Sequence, residues 1–325
     1  MKFMTTTMAC AILGAGSAAA ASLDATYTSF LVFGDSLSDP GNLAAFGAAP
    51  PPPYVGGRFS NGPVWAEDIA ADFAISANFA FGGARAGSDT AVPDFDEQLA
   101  LYDPNLIPQG DRPLAAIWLG ANDLFEGIFT GTVADAITDA TMGIANGIAA
   151  LQASNVNDFV VFNLPDLGQT PLYDLVLPPF SSGASDATNA FNAALDGVIA
   201  GAEANGATVT KIDINATFDA LLANPTAFGV SEADIPCLFL SDEPAIQAAA
   251  GFTALLLGED LVCSDAEAAE RAFFDLVHPN ATVHSAIADE VRTALAPAPV
   301  PLPATLPLLI GALAGLGLAR RRVAR

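Results

Sequence analysis

The sequence predicts an α/β domain with a parallel sheet of about five strands and helices on both faces. Three observations carry that prediction. Short apolar runs rich in β-branched and aromatic residues take turns with segments of helical periodicity. Strands separated by helices pair in parallel through right-handed crossovers. The stretch from Ser22 to Ala296 is long enough to bury one sizeable core.

Phe30 to Phe33 is the first β-rich run. Pro63-Val64-Trp65-Ala66-Glu67-Asp68-Ile69 predicts a helix with proline in its first turn, where the missing N–H costs nothing. Asn78 to Phe81 and Leu114 to Leu119 are the next two strands. Val133, Ile137, Ile144, Ile148 and Leu151 then mark one face of a helix. Phe159 to Phe162 returns to strand, Ser185 to Ala204 reads as helix, and Thr208 to Ile214 alternates as a fifth strand. Val283, Ile287, Val291 and Leu295 recur every four residues, so the last helix is amphipathic. No internal repeat is present.

Of 325 residues 52% are hydrophobic and 14% charged, with 36 Asp and Glu against 11 Lys and Arg, for a net charge of −25. Five of the eleven basic residues lie at the two ends, so the body is more acidic still. That balance excludes a disordered acidic tail, which needs low hydrophobicity, and most nucleic-acid binders, which need a basic surface.

The two ends read as processing segments. Residues 1–21 place Lys2 before an apolar stretch and a small-residue Ala18-Ala19-Ala20 site, the pattern of a secretory signal peptide. Residues 297–325 form a Pro-rich spacer, an apolar stretch from Leu306 to Ala319 and a basic Arg320-Arg321-Arg322 end. The apolar stretch falls short of the roughly 20 residues of a spanning helix and is interrupted by glycine and proline. VPLPATLPLLIGALAGLGLARRR resembles the VPLPA variant of bacterial PEP-CTERM sorting tails. The resemblance implies transient membrane contact and processing by an exosortase-like protease in a Gram-negative cell; a simple tail anchor is the alternative. Residues 22–296 are then the exported domain. It retains two cysteines, Cys237 and Cys263, and an even pair in an exported protein predicts a disulfide across the loop-rich stretch between Phe218 and Arg271.

The first three strands all run into glycine turns: Gly34-Asp35-Ser36, Gly82-Gly83, and Gly120-Ala121-Asn122-Asp123. In a parallel sheet the strand C-termini share one edge, where ligands bind. These turns bring a serine, bare backbone and an asparagine to that edge, and a serine at the start of a helix gains from the exposed N–H groups there. A serine nucleophile needs a base, and the domain has only His278 and His284. Asp275 lies three residues before His278, close enough to hold its Nδ1 proton, while Pro279 keeps the histidine out of helix. His284 has Ala281 at that spacing and is read as a surface or packing histidine.

Phe33-Gly34-Asp35-Ser36-Leu37-Ser38-Asp39-Pro40-Gly41-Asn42 resembles the first block of the GDSL, or SGNH, hydrolases. Asn78-Phe79-Ala80-Phe81-Gly82-Gly83-Ala84 resembles the second, Gly120-Ala121-Asn122-Asp123 the third and Asp275 to His278 the last. Gly57 to Trp65 and Asn163 to Gly168 look like the longer lipase members. The resemblance implies a flavodoxin-like three-layer α/β/α fold and a carboxylic ester hydrolase, an esterase or lipase. It implies Ser36 as nucleophile, His278 as base and Asp275 as its orienter. It implies an oxyanion hole from the Ser36 and Gly83 backbone N–H groups and the Asn122 amide, with Gly82 the alternative to Gly83. Asp39, Asn42 and Asp123 read as loop braces, and Arg85 as a contact for an anionic substrate group or a partner for nearby acids. No phosphate-binding glycine loop, Ser-x-x-Lys pair or metal-ligand cluster occurs, so no metal or other cofactor is implied. Two further readings stay open: a polysaccharide O-acetylesterase, and a non-catalytic glycan-binding surface protein.

Overall fold

A computed structural model describes residues 22–87, 90–239 and 261–296. The leader and tail readings lie outside the described residues. Five strands make the main sheet: β1 (Ser29–Gly34), β2 (Ser76–Asn78), β3 (Pro113–Trp118), β4 (Asp158–Phe162) and β5 (Thr208–Ile212). All neighbours pair in parallel, in the order β2-β1-β3-β4-β5. Every residue of β1, β3 and β4 is buried, as a sheet covered on both faces requires.

The helices fall into two groups. In one, α3 (Phe95–Leu101), α4 (Ala121–Thr130) and α6 (Ser181–Ala204) each pack against the long α5 (Val133–Ala153). In the other, α2 (Trp65–Ala70) packs against the terminal α9 (Ala281–Leu295). Between β1 and α2 lies the one-turn α1 (Asn42–Ala45), and α7 (Ile214–Ala223) follows β5. Val283, Ile287, Val291 and Leu295 are all buried, as their spacing predicts. An aromatic stack fills the core below the C-termini of β3 and β4. Trp118 stacks on Phe162 at 4.8 Å between ring centres, and Trp65 of α2 lies 4.5 Å from Phe162 and 6.2 Å from Phe30.

Four boundaries differ from the sequence expectation. α2 starts at Trp65 with Val64 as its cap, so Pro63 precedes the first turn; Glu67 folds back to accept the Val64 N–H at 3.0 Å. β2 ends at Asn78, although the Phe79 and Phe81 N–H groups still donate to Val32 and Gly34 carbonyls. β5 ends at Ile212, because Asp213 caps α7 by accepting the Ala216 N–H. α6 begins earlier, at Ser181.

The Cys237–Cys263 disulfide is formed, with 5.2 Å between Cα atoms. It closes a short antiparallel ladder of β6 (Leu238–Phe239) and β7 (Leu261–Val262), which precedes α8 (Asp265–Glu270).

Candidate active site

The sheet reverses its direction of growth between β1 and β3: β2 is laid down on one side of β1, and β3 to β5 on the other. Chains leaving the two central strands diverge there and open a crevice at the C-terminal edge. Ser36 follows β1 and Asn122 follows β3, so both border that crevice.

Ser36 does not begin a helix, contrary to the expectation. It sits in a tight turn closed by Ser38 N–H on the Asp35 carbonyl and by Leu37 N–H on Asp35 Oδ1, both at 3.0 Å. Gln98 of α3 braces the end of β1, its amide donating to the Gly34 carbonyl at 2.8 Å and accepting the Gly34 N–H at 3.0 Å. Asp39 organises the loop beyond: Oδ1 accepts the Gly41 and Asn42 N–H groups, and Oδ2 those of Leu43 and Gly82. The Asn42 amide reaches the Asn78 and Ala80 carbonyls, tying the first block to the second. Trp65 Nε1 donates to Ser38 Oγ at 3.1 Å and locks the loop to the core.

The structure brings Ser36, His278 and Asp275 together. Ser36 Oγ lies 2.7 Å from His278 Nε2, and His278 Nδ1 lies 2.7 Å from Asp275 Oδ2. The histidine loop is compact: Asp275 Oδ1 accepts the Val277 and His278 N–H groups, and the His278 carbonyl accepts the Phe274 N–H. Asn280 then starts α9 by accepting the Val283 N–H. Burial pushes the Asp275 carboxyl up, but the neighbouring His278, the Tyr54 hydroxyl and the Val277 N–H outweigh it and hold the group below its ordinary range. A carboxylate only accepts, so the ring proton of His278 belongs on Nδ1 and Nε2 is left to face the Ser36 hydroxyl.

The three expected oxyanion donors have free valence at the same edge. The Ser36 and Gly83 N–H groups take no acceptor among the described residues. Asn122 Nδ2 spends one hydrogen on the Ala84 carbonyl at 2.9 Å, leaving the other. Gly82, by contrast, has its N–H committed to Asp39 Oδ2 at 2.8 Å. Gly83 sits at φ +83°, a left-handed turn that glycine adopts without strain. At Gly120, φ +121°, a side chain would also meet the Phe191 ring, so glycine is what lets α4 start at Ala121 and carry Asn122 to the edge.

The remaining candidates serve the scaffold. Asp123 accepts the Ala86 and Gly87 N–H groups. Arg85 pairs with Glu126. His284 is buried in α9, where Nδ1 accepts the Trp65 N–H at 3.4 Å and burial pushes its pKa down to about 3.

Above the serine lies a cavity of about 560 Å³ whose lining is mostly apolar. Leu37, Leu43, Pro50, Pro51, Phe59, Phe125, Phe129, Leu172 and Leu276 contribute walls, with Ser36, His278, Asn122 and Gly83 at the reacting end. Two further residues at the site carry no role in the sequence analysis. Tyr54 donates its hydroxyl to Asp275 Oδ2 at 2.6 Å across 221 residues of chain. Asp35, next to Ser36, is buried with Oδ2 unpartnered among the described residues, and its desolvation pushes the carboxyl up to about 7. Asp35 stands directly before the serine in its glycine turn, whereas Tyr54 ends the Pro50 to Tyr54 stretch, whose apolar and aromatic residues could line an acyl site but read from sequence alone as loop packing.

A sequence profile of the GDSL-like Lipase/Acylhydrolase family matches residues 30–291. A phosphatidylcholine-sterol acyltransferase from Aeromonas hydrophila is 28% identical over 314 residues, covering 82% of this chain and 90% of the relative. An acetylesterase from Thermothelomyces thermophilus is 28% identical over 285 residues, covering 76% of this chain and 93% of the relative. The solved structure of an acetylxylan esterase from Geobacillus stearothermophilus aligns with a TM-score of 0.45 at 12% identity, over 82% of this chain and 94% of that one. With the family profile spanning most of the chain, from the serine turn to the helix behind the histidine, the protein belongs to the GDSL-like lipase/acylhydrolase family and is a carboxylic ester hydrolase.

Proposed function

We propose that the protein is an exported serine esterase that works through an acyl-enzyme on Ser36 and prefers esters with an extended apolar acyl group. The observation that carries this reading is the Ser36–His278–Asp275 chain of hydrogen bonds at the floor of a mostly apolar cavity.

In the first half-reaction Ser36 Oγ attacks the ester carbonyl carbon while His278 Nε2 takes the hydroxyl proton. The oxyanion faces the Ser36 and Gly83 N–H groups and the free Asn122 amide hydrogen, donors fixed before the charge appears. Collapse breaks the bond to the alkoxy oxygen, and His278 passes its proton to the leaving alcohol. In the second half, water gives a proton to His278 and its oxygen attacks the acyl carbon; the acid leaves and Ser36 regains its proton. Asp275 holds the ring in the working tautomer and stabilises the imidazolium in both halves.

The substrate preference follows from the walls. A cavity this size accepts a chain of several methylenes, and each buried one contributes about 0.8 kcal/mol. The segment from Leu43 to Gly57 carries no charged residue, in a chain of net charge −25, and contributes Pro50, Pro51 and Tyr54 to the wall. An acetylated polysaccharide would ask for polar side chains around the sugar, and the wall offers few. The acetylesterase relative keeps the O-acetylesterase reading as the second choice.

Export rests on the leader pattern of residues 1–21, and the disulfide suits an oxidising compartment. The domain would span residues 22–296, followed by a 297–325 tail for an exosortase-like protease at the surface of a Gram-negative cell.

Turnover of p-nitrophenyl esters from acetate to palmitate tests this. The expected kcat/KM rises from acetate to a medium chain and vanishes in Ser36→Ala. A maximum at acetate, with release of acetate from acetylated glycan, would transfer the reading to the O-acetylesterase; absence of Ser36-dependent turnover on any ester would refute it.

A further inference from the structure

We propose that Tyr54 is a positioning residue that sets the basicity of His278 by sharing the Asp275 oxygen to which the histidine is bound. The inference rests on the reading of Ser36, His278 and Asp275 as the working relay, and adds a fourth member that comes from outside the sheet edge.

Asp275 has two oxygens and four donors. Oδ1 accepts the Val277 and His278 backbone N–H groups, which fix the carboxylate in its loop. Oδ2 accepts both His278 Nδ1 at 2.7 Å and the Tyr54 hydroxyl at 2.6 Å. Two donors on one oxygen divide its negative charge. A hydroxyl that stabilises the carboxylate by itself leaves less of that charge for an imidazolium, so His278 releases its proton more readily. The aim of the hydroxyl is set by packing. The Tyr54 ring meets Phe274 edge-on at 5.2 Å and Phe59 at 5.8 Å, and Phe59 lies 5.2 Å from the His278 ring. Tyr54, Phe59 and His278 therefore form a contiguous aromatic wall on the cavity side of the relay.

Other ionisable groups near His278 act from different directions. Asp35 interacts with it from beside the nucleophile and is itself flanked by Asp123, while His284 lies behind it in α9. Among the described residues, only the Tyr54 hydroxyl shares Oδ2 with the histidine. Its loop also lines the cavity through Pro50 and Pro51, so an acyl chain and the catalytic carboxylate touch the same short segment. A base that is free at neutral pH suits general-base catalysis there, since a carboxylate bound to histidine alone would keep the imidazolium protonated further up the pH scale.

NMR titration of the histidine rings in the full chain tests this without recourse to turnover. The chain has two histidines, and buried His284, held to about 3, stays silent above pH 5, so one transition reports His278. In Tyr54→Phe, which keeps the ring and loses only the hydroxyl, the midpoint is expected to rise by about 0.5–1 pH unit, a threefold to tenfold gain in proton affinity. Tyr54→Met, run in parallel, removes the hydroxyl with a different packing and is expected to shift the midpoint the same way. The acidic limb of kcat/KM against pH moves upward by the same amount. A midpoint unchanged or lowered in both variants would overturn the proposal, even if stability falls, because a merely structural tyrosine does not move that proton. If the midpoint shifts while the wild type hydrolyses no ester, the esterase reading fails and the role of Tyr54 stands.

Discussion

Asn122 shows how one side chain divides its work. One amide hydrogen anchors it to the Ala84 carbonyl, and the other is left for the oxyanion of the proposed reaction. Removing one such donor costs about 2.7–4 kcal/mol, so Asn122→Ala is expected to lower kcat by about 100- to 1000-fold with the fold intact, as steady-state kinetics and circular dichroism would show. Asp35 carries a different prediction. The unfolded chain loses its proton near 3.8, whereas the buried carboxyl keeps it until about 7. Folding stability therefore falls as pH rises through that window and stays lower above it. Asp35→Asn removes the ionisation, so the variant is expected to gain on the wild type between pH 4 and pH 8, by on the order of 3–4 kcal/mol. Urea unfolding at the two pH values checks this, and a difference that does not grow with pH contradicts it.

At the scale of elements, the histidine loop depends on the disulfide-tied ladder beside it. Cys237 and Leu238 donate their N–H groups to the Phe273 and Phe274 carbonyls, the two residues directly before Asp275. The bond closes a loop of sequence separation 26. Loop-closure entropy assigns about 3–4 kcal/mol to such a closure. The Cys237→Ala and Cys263→Ala double variant is expected to lose that much stability and part of its activity, because Phe273 and Phe274 lose their backing. Equal denaturation midpoints with and without the disulfide would contradict this. The ladder also marks where sequence reading stopped. An even cysteine pair predicted the bond, but its partner strand is short, and the hydrogen bonds that tie it to Phe273 and Phe274 join segments far apart in the chain. The same holds for Gln98, whose clasp on Gly34 spans 64 residues, and for Tyr54. Ser36, Asn122 and the Asp275 to His278 segment were legible because each stands in a short local pattern at the end of a strand or ahead of a helix. Element ends were less so: Thr208 to Ile214 keeps its alternation past Ile212, and only the capping bond from Asp213 shows where strand gives way to helix.

Across the whole molecule, the order β2-β1-β3-β4-β5 converts local patterns into a site. Strands separated by helices predict parallel pairing, but that order along the chain carries no information on which strand lies at the centre. Placing β1 and β3 side by side sets the serine turn and the asparagine helix on either side of one crevice, while α9 packed on α2 delivers the histidine loop from the far end of the chain. The central claim is that this assembly makes Ser36 a nucleophile through His278. Its most direct test is covalent trapping: incubation of the protein with an alkyl p-nitrophenyl phosphonate, followed by peptide mapping by mass spectrometry. The account predicts a single adduct on Ser36, absent in Ser36→Ala and formed far more slowly in His278→Ala. An adduct on another residue, or labelling of Ser36 at an undiminished rate without His278, would contradict it.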